Sequence, residues 1–125
     1  MNENEISKII FDCALKVHKK LGPGLLESIY EECMYHELKK MNITIVKEMP
    51  LSLRYDDIKF NVGYRVDLMV DEKVIIEIKA VEAIIDIHIA QLLTYLKISK
   101  CKLGILINFN VALLKNGFKR IVNNL

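Results

Sequence analysis

Asp67, Glu77 and Lys79 are the residues of this chain whose types and spacing could do chemistry. They lie in the stretch GYRVDLMVDEKVIIEIKA, residues 63–80, which is otherwise mostly aliphatic and β-branched. Two facing carboxylates repel each other, and charges taken out of water without partners cost several kcal/mol each, roughly. A hard divalent cation with its waters is the natural third party. Lys79, two residues past Glu77, carries an ammonium that could neutralise charge developing on a phosphate or orient an attacking water, as electrostatic catalysis of phosphoryl transfer requires.

The element that must position these groups is a β-hairpin: residues 64–70 and 74–80 are two β-prone runs separated by Asp71, Glu72 and Lys73. Alternation puts Tyr64, Val66, Leu68 and Val70 opposite Val74, Ile76, Ile78 and Ala80 on one face, expected to be all core. Arg65, Asp67 and Met69 then lie opposite Ile75, Glu77 and Lys79 on the other. A three-residue loop sets Asp67 directly opposite Glu77, whereas a two-residue loop puts them on opposite faces. No glycine fixes the turn, so the register stays open at this point.

Asp67, nine residues, then Glu77-Ile78-Lys79 resembles the D-x(n)-(D/E)-x-K signature of the PD-(D/E)XK nuclease superfamily, without the proline before Asp67. Gly24-Leu25-Leu26-Glu27-Ser28-Ile29-Tyr30 is similar to the G-x-x-E-x-x-Y pattern of the GxxExxY family, and Gln91-Leu92-Leu93-Thr94-Tyr95 to the Q-x-x-x-Y motif of the RecB-like branch. The three motifs occur in the order of that family, over about residues 21–122. The resemblance implies a nuclease in which Asp67 and Glu77 hold Mg²⁺ (or Mn²⁺) with Glu27 and the backbone carbonyl of Ile78, while Lys79 serves the attacking water. It further implies that Gln91 and Tyr95 help position the substrate or the metal-bound water, the substrate being a nucleic acid, with DNA favoured over RNA. A competing reading is a catalytically silent module of the same fold that binds nucleic acid or assembles with a partner, in which Asp67, Glu77 and Lys79 form a structural ion network.

The chain's 125 residues suit one domain with one core. Its 52% hydrophobic and 27% charged residues suit an ordinary globular protein. The start, acidic and then amphipathic, lacks the basic region and apolar core of a signal peptide, and no run approaches a membrane span, so the expectation is a cytoplasmic protein. Cys13, Cys33 and Cys101 are odd in number and widely spaced, which suggests core thiols. Net charge of +2 argues little for nucleic acid, but residues 1–85 carry 12 basic against 15 acidic groups and residues 86–125 carry 6 against 1. Lys97, Lys100, Lys102, Lys115, Lys119 and Arg120 could face phosphate or simply be solvated. With charge this modest, unaided affinity for DNA should be weak, and a homo-oligomer could supply more surface.

In chain order, Ile6, Ile9, Ile10, Cys13, Ala14, Val17 and Leu21 predict an amphipathic helix over 3–21, with Asn2 and Glu5 as a capping box and Gly22-Pro23 as its stop. A second helix is expected over 25–41, burying Leu26, Ile29, Tyr30, Cys33, Leu38 and Met41, with the Tyr30 hydroxyl at the rim of the site. Glu27, in its first turn, reads either as a favourable partner of the helix dipole or as a further ligand at the site. The period then becomes two. One strand contains Pro50, which favours an edge; a turn at Asp56-Asp57 leads to Ile58, Phe60 and Val62, and Gly63 suggests a bulge. Asp86 is expected to cap a helix to about residue 97 whose apolar face is Ile85, Ile89, Leu92, Leu93 and Leu96, with His88, Gln91 and Tyr95 on one stripe. Residues 102–109 read as a buried strand joined by a right-handed parallel crossover, followed by a short terminal element. The order predicts an α/β protein: a restriction-endonuclease-like three-layer α/β/α sandwich with a mixed four- to five-stranded sheet.

Overall fold

The computed structural model describes residues 1–125 except the side chains of Asn61 and Val62, so the expected packing of Val62 lies outside the described residues. Helix α1, Glu3–Leu21, starts on the predicted capping box: the Asn2 side chain accepts from the Glu5 N–H at 2.8 Å, and the Glu5 carboxylate accepts from the Asn2 N–H at 3.0 Å. It ends at Gly22, whose φ of 66° favours glycine. Ile6, Ile10, Ala14 and Val17 are buried along one stripe.

Helix α2 is shorter than expected, Glu27–Lys39, with Leu26 at its N-cap. Its buried stripe is Tyr30, Met34 and Leu38 at four-residue spacing. Leu26, Ile29 and Met41 were expected on that stripe and are instead exposed, because Leu26 and Met41 fall outside the helix and Ile29 lies off the Tyr30 line. Tyr30 is also reassigned. Its ring stacks on Phe109, centroids 4.5 Å apart, and its hydroxyl donates to the Gly22 carbonyl at 2.6 Å and accepts from the Leu25 N–H at 3.2 Å. The hydroxyl therefore pins the α1–α2 connection instead of standing at the rim of a site.

Five strands follow: β1 Ile45–Tyr55, β2 Ile58–Val70, β3 Val74–Lys79, β4 Leu103–Asn108 and β5 Phe118–Val122, with α3, Asp86–Ser99, between β3 and β4. They form one mixed sheet in the order β1-β2-β3-β4-β5, in which only β3 and β4 pair in parallel. Pro50 lies in an edge strand, where a missing N–H is tolerated. The β1/β2 register slips where Leu51 pairs with Tyr64 but Leu53 with Phe60, which puts the expected irregularity beside Gly63. The terminal element is the antiparallel edge strand β5.

Two cores fill the sandwich. Residues of α1 and α2 pack with Leu68, Val70, Val74, Ile76, Ile78, Ile105 and Ile107 on one side of the sheet. On the other side Leu92, Tyr95 and Leu96 of α3 pack with Val66, Met69, Ile75 and Leu106. The start of α3 corrects the sequence reading: Ile85 is the N-cap, Asp86 is already helical, and the Ile85 N–H is accepted by His88 Nδ1 at 3.2 Å. Ile85 is consequently exposed and not part of the apolar face, and His88 is occupied with starting the helix. Cys13 and Cys101 are buried and Cys33 partly so, all as free thiols.

Gly117 marks the tightest approach in the fold. A Cβ there would stand 2.1 Å from the Asn108 carbonyl oxygen, across the pair in which the Asn108 N–H donates to the Gly117 carbonyl at 2.8 Å. Since the obstacle is backbone, Gly117→Ala must push β4 and the segment before β5 apart. The expected loss is about 3 kcal/mol, the upper end of overpacking, read by urea denaturation. Gly63→Ala, where a Cβ would meet nothing within 4 Å, should change stability by less than about 0.5 kcal/mol.

Candidate active site

The hairpin register is the odd-loop one. Val70 pairs with Val74, Met69 with Ile75 and Leu68 with Ile76. The three-residue turn is made without glycine: Asp71 and Glu72 take φ of 53° and 56°, and the Lys73 N–H returns to the Val70 carbonyl at 3.0 Å. Extending this register brings Asp67 opposite Glu77.

At that position the backbone ladder gives way to side chains. The Asp67 N–H donates to Glu77 Oε1 at 3.2 Å, and the Ile78 N–H donates to Asp67 Oδ2 at 2.7 Å. Beyond Leu68, β2 leaves β3 and pairs only with β1. The Ile78 carbonyl lies on the same strand edge as its N–H and so faces this opening.

The faces also exchange here, contrary to simple alternation. Ile45, Leu68 and Val70 pack toward α1 and α2, but Met49 and Val66 pack toward α3, and Tyr64 lies against Tyr95. Tyr64 and Val66 therefore do not share the face of Leu68 and Val70, and Tyr64 is 47% exposed instead of core. Glu48, which falls opposite Asp67, has a φ of 51°. A left-handed residue in β1 level with a broken ladder in β2 turns both strands over together.

Helix α2 brings more carboxylates. Glu27 Oε2 accepts from the Ala80 N–H at 3.0 Å, so the first turn of α2 caps the end of β3. Glu31, one turn on, stands near enough to Asp67 that the two carboxylates perturb each other's titration. Sequence reading passed over Glu31, although two glutamates at i and i+4 on one helix face repel and so hint at a shared site. Lys79 acts on both Asp67 and Glu77, favouring their charged forms, and among the described residues it makes no ion pair. Beside it in register stands Asn108, 2% exposed, whose Oδ1 accepts from the Val81 and Asn110 N–H groups and whose Nδ2 donates to the Val81 carbonyl. That clamp fixes the path of the chain leaving Lys79.

Crowded acids raise one another's pKa. Glu77, 7% exposed, is pushed up to about 8, first by burial and then by the charge of Asp67, against the Asp67 N–H and Lys79. Glu31 is pushed up to about 7, again by burial first, then by Asp67 and Glu48. Asp67 is raised by burial, opposed by the Ile78 N–H, Glu31 and Lys79. The donors around the opening are oxygens alone, which suits a hard cation such as Mg²⁺ or Mn²⁺. Among the described residues no three Asp, Glu, His or Cys side chains converge into a ready-made cage. One or two carboxylates with retained waters is the usual arrangement for Mg²⁺.

Tyr95 is buried against Val66, Met69 and Ile75, the neighbours of Asp67 and Glu77, and its phenol is raised by burial, then by Glu77, Tyr64 and Asp67. Gln91 is exposed one turn away and borders a cavity with Tyr64 and Tyr95. The structure thus gathers Glu27, Asp67, Glu77, Ile78, Lys79 and Tyr95 at one end of β3, with Gln91 at the margin. A separate apolar cavity between α1 and α2, lined by Val17, Leu21 and Cys33, lies apart from these groups.

Comparisons with curated proteins and with solved structures give no match. A family model does match, described as the PD-(D/E)XK nuclease superfamily and spanning residues 4–121. The five-stranded mixed sheet between helical layers agrees with the restriction-endonuclease-like fold of that superfamily, whose nucleases generally use divalent metals. With nearly the whole chain matched and the Asp67, Glu77 and Lys79 groups assembled at the opened ladder, the protein belongs to the PD-(D/E)XK nuclease superfamily.

Proposed function

We propose that this chain, acting as a single domain of the GxxExxY type within the RecB-like branch, is a metal-dependent nuclease that hydrolyses phosphodiester bonds of nucleic acid, with DNA the favoured substrate. The observation that carries the reading is the pair Asp67 and Glu77 where the ladder opens, one carboxylate buried against the other, with the Lys79 ammonium unpaired among the described residues. A structural role alone does not account for facing acids beside a buried central strand, since apolar residues there would be as stable or more so.

Asp67, Glu77 and the Ile78 carbonyl would hold Mg²⁺ or Mn²⁺, with Glu27 or Glu31 reaching it from α2. Bound there, the cation would supply Lewis acidity toward the phosphate and lower the pKa of water. Lys79 would orient the attacking water and neutralise charge on the phosphoryl oxygens. Glu77, held by the Asp67 N–H, would keep the ligand set aligned. Tyr95 and Gln91 would position the strand beside it. The second reading, a silent module of the same fold, draws on the carboxylates' being occupied with backbone N–H groups of Asp67, Ile78 and Ala80. Metal binding and cleavage separate the two.

Cleavage of labelled single-stranded and duplex DNA with Mn²⁺ should fall by about a hundredfold or more in Lys79→Ala and in Glu77→Gln, the scale of removing one electrostatic or acid–base group. If identically purified variants cut as fast as wild type, the chemistry is not at this site.

Metal-free stability should depend on pH in a direction set by the raised acids. Glu77 and Glu31 have ordinary values of 4.5 and folded values of about 8 and about 7. Both are protonated in folded and unfolded chains below about pH 4, where they take nothing from stability. As pH rises above about 4.5 the unfolded chain ionises while the folded one keeps its protons, so stability declines until the folded acids ionise at about 7 and about 8. The melting temperature without metal should therefore fall between about pH 5 and pH 8, and Glu77→Gln should flatten that fall. At about pH 8, Mn²⁺ at a hundred times its Kd should restore about 2.7 kcal/mol in wild type, and much less in Asp67→Asn. No metal-induced rise in wild type would favour the silent module.

A further inference from the structure

Between the β1–β2 ribbon and α3, Leu53, Tyr64, Ile87, Gln91, Tyr95 and Ile98 line a cavity of about 230 Å³. Tyr95 is buried at its base, and Tyr64 stands over it with 47% of its surface exposed, ring centroids 6.0 Å apart at 52°. Leu53 and Tyr64 also border a neighbouring cavity formed with Phe60, itself 40% exposed. The volume falls below the roughly 300 Å³ at which pockets for whole small molecules begin, and it suits one planar ring system.

Three observations point to the occupant. The cavity adjoins the proposed catalytic groups, because Tyr95 packs in one core with Val66, Met69 and Ile75, the neighbours of Asp67 on β2 and of Glu77 on its face of β3. Its walls are apolar and aromatic apart from Gln91 and Thr94; the Thr94 hydroxyl is committed to the Ala90 carbonyl, which leaves the exposed Gln91 amide free of side-chain partners among the described residues. Farther out on the same ribbon, Arg54 and Lys59 are direct cross-strand partners, and like charges so placed are unfavourable unless an anion lies near. Aromatic faces, an amide at the margin and cations along the same ribbon are what a nucleic-acid strand with a splayed base requires.

We propose, resting on the nuclease reading above, that this groove is a base-stacking subsite, in which an unpaired nucleobase of the DNA strand next to the scissile phosphate stacks on Tyr64 with the Gln91 amide at its hydrogen-bonding edge. The preferred substrates are then single strands, frayed ends or gaps, since a fully paired base cannot enter without leaving its stack.

The test uses a single-stranded DNA oligonucleotide carrying the fluorescent base 2-aminopurine, titrated in Ca²⁺ against the full chain bearing Lys79→Ala, alone and combined with Tyr64→Phe or Tyr64→Leu. Lys79→Ala and its Tyr64→Phe combination should quench the probe on binding. Tyr64→Leu, which keeps an apolar side chain in place, should bind about tenfold more weakly without the quench, the scale of one lost stacking partner. Equal affinity and quenching with Tyr64→Leu would overturn the subsite, as would a fully paired duplex binding as tightly as the single strand. Lys79-dependent cleavage, measured in parallel on chains that retain Lys79, judges the nuclease reading separately. Cleavage that depends on Lys79 but not on Tyr64 removes the subsite alone, and Tyr64-dependent quenching without any cleavage removes the nuclease reading while keeping the groove as a DNA-binding site.

Discussion

The hydrogen bonds between Asp67 and Ile78 and between Asp67 and Glu77 stand where backbone ladder bonds would otherwise run, and much of the molecule follows from that substitution. A carboxylate can replace a carbonyl as acceptor for a strand N–H, so β2 can leave β3 without orphaning donors in the sheet. The departure opens the C-terminal edge of β3, exposes the Ile78 carbonyl to it, and lets β1 and β2 turn over together at Glu48 and Asp67. The carboxylates that close the ladder are then held close to one another with little water. That proximity raises the acids and makes a cation favourable, so the same residues keep the strands aligned and create the demand for charge compensation.

Much of this is legible in the amino-acid sequence. Side-chain period and loop parity left two registers, and the pairing of Val70 with Val74 is the one that sets Asp67 opposite Glu77. The layer order, the parallel crossover and the Asn2–Glu5 box were readable for the same reason, that local pattern and tertiary demand agree there. The failures are equally local. Alternation carried through Asp67 put Tyr64 and Val66 on the wrong face, because a turn-over of two strands needs no extra residue and leaves no mark in the pattern. Tyr30 looked like a rim residue because sequence cannot show that Phe109 and the Gly22 carbonyl take its ring and hydroxyl. Asn108 reads as the end of an apolar strand, and its hold on Val81 appears only once β4 lies beside β3.

The division of labour between strands follows from how each is supported. β3 pairs on both sides, lies between two cores and has every residue from Val74 to Ile78 buried, so groups placed at its end are held rigidly, as reacting groups must be. Asn108 extends that rigidity past the end of the strand. The ribbon beyond Val66 has neither advantage. Its two strands pair only with each other, contain a register slip, and leave Tyr55, Ile58, Phe60 and Tyr64 exposed. A two-stranded ribbon is marginally stable by itself, and elements that meet substrates are drawn from such low-stability regions. Chemistry on the clamped strand and contact on the loose ribbon are thus consequences of one event, the parting of β2 from β3 at Asp67. Closing the ladder with apolar residues would steady the ribbon and abolish the opening at which the acids, the Ile78 carbonyl and Lys79 meet.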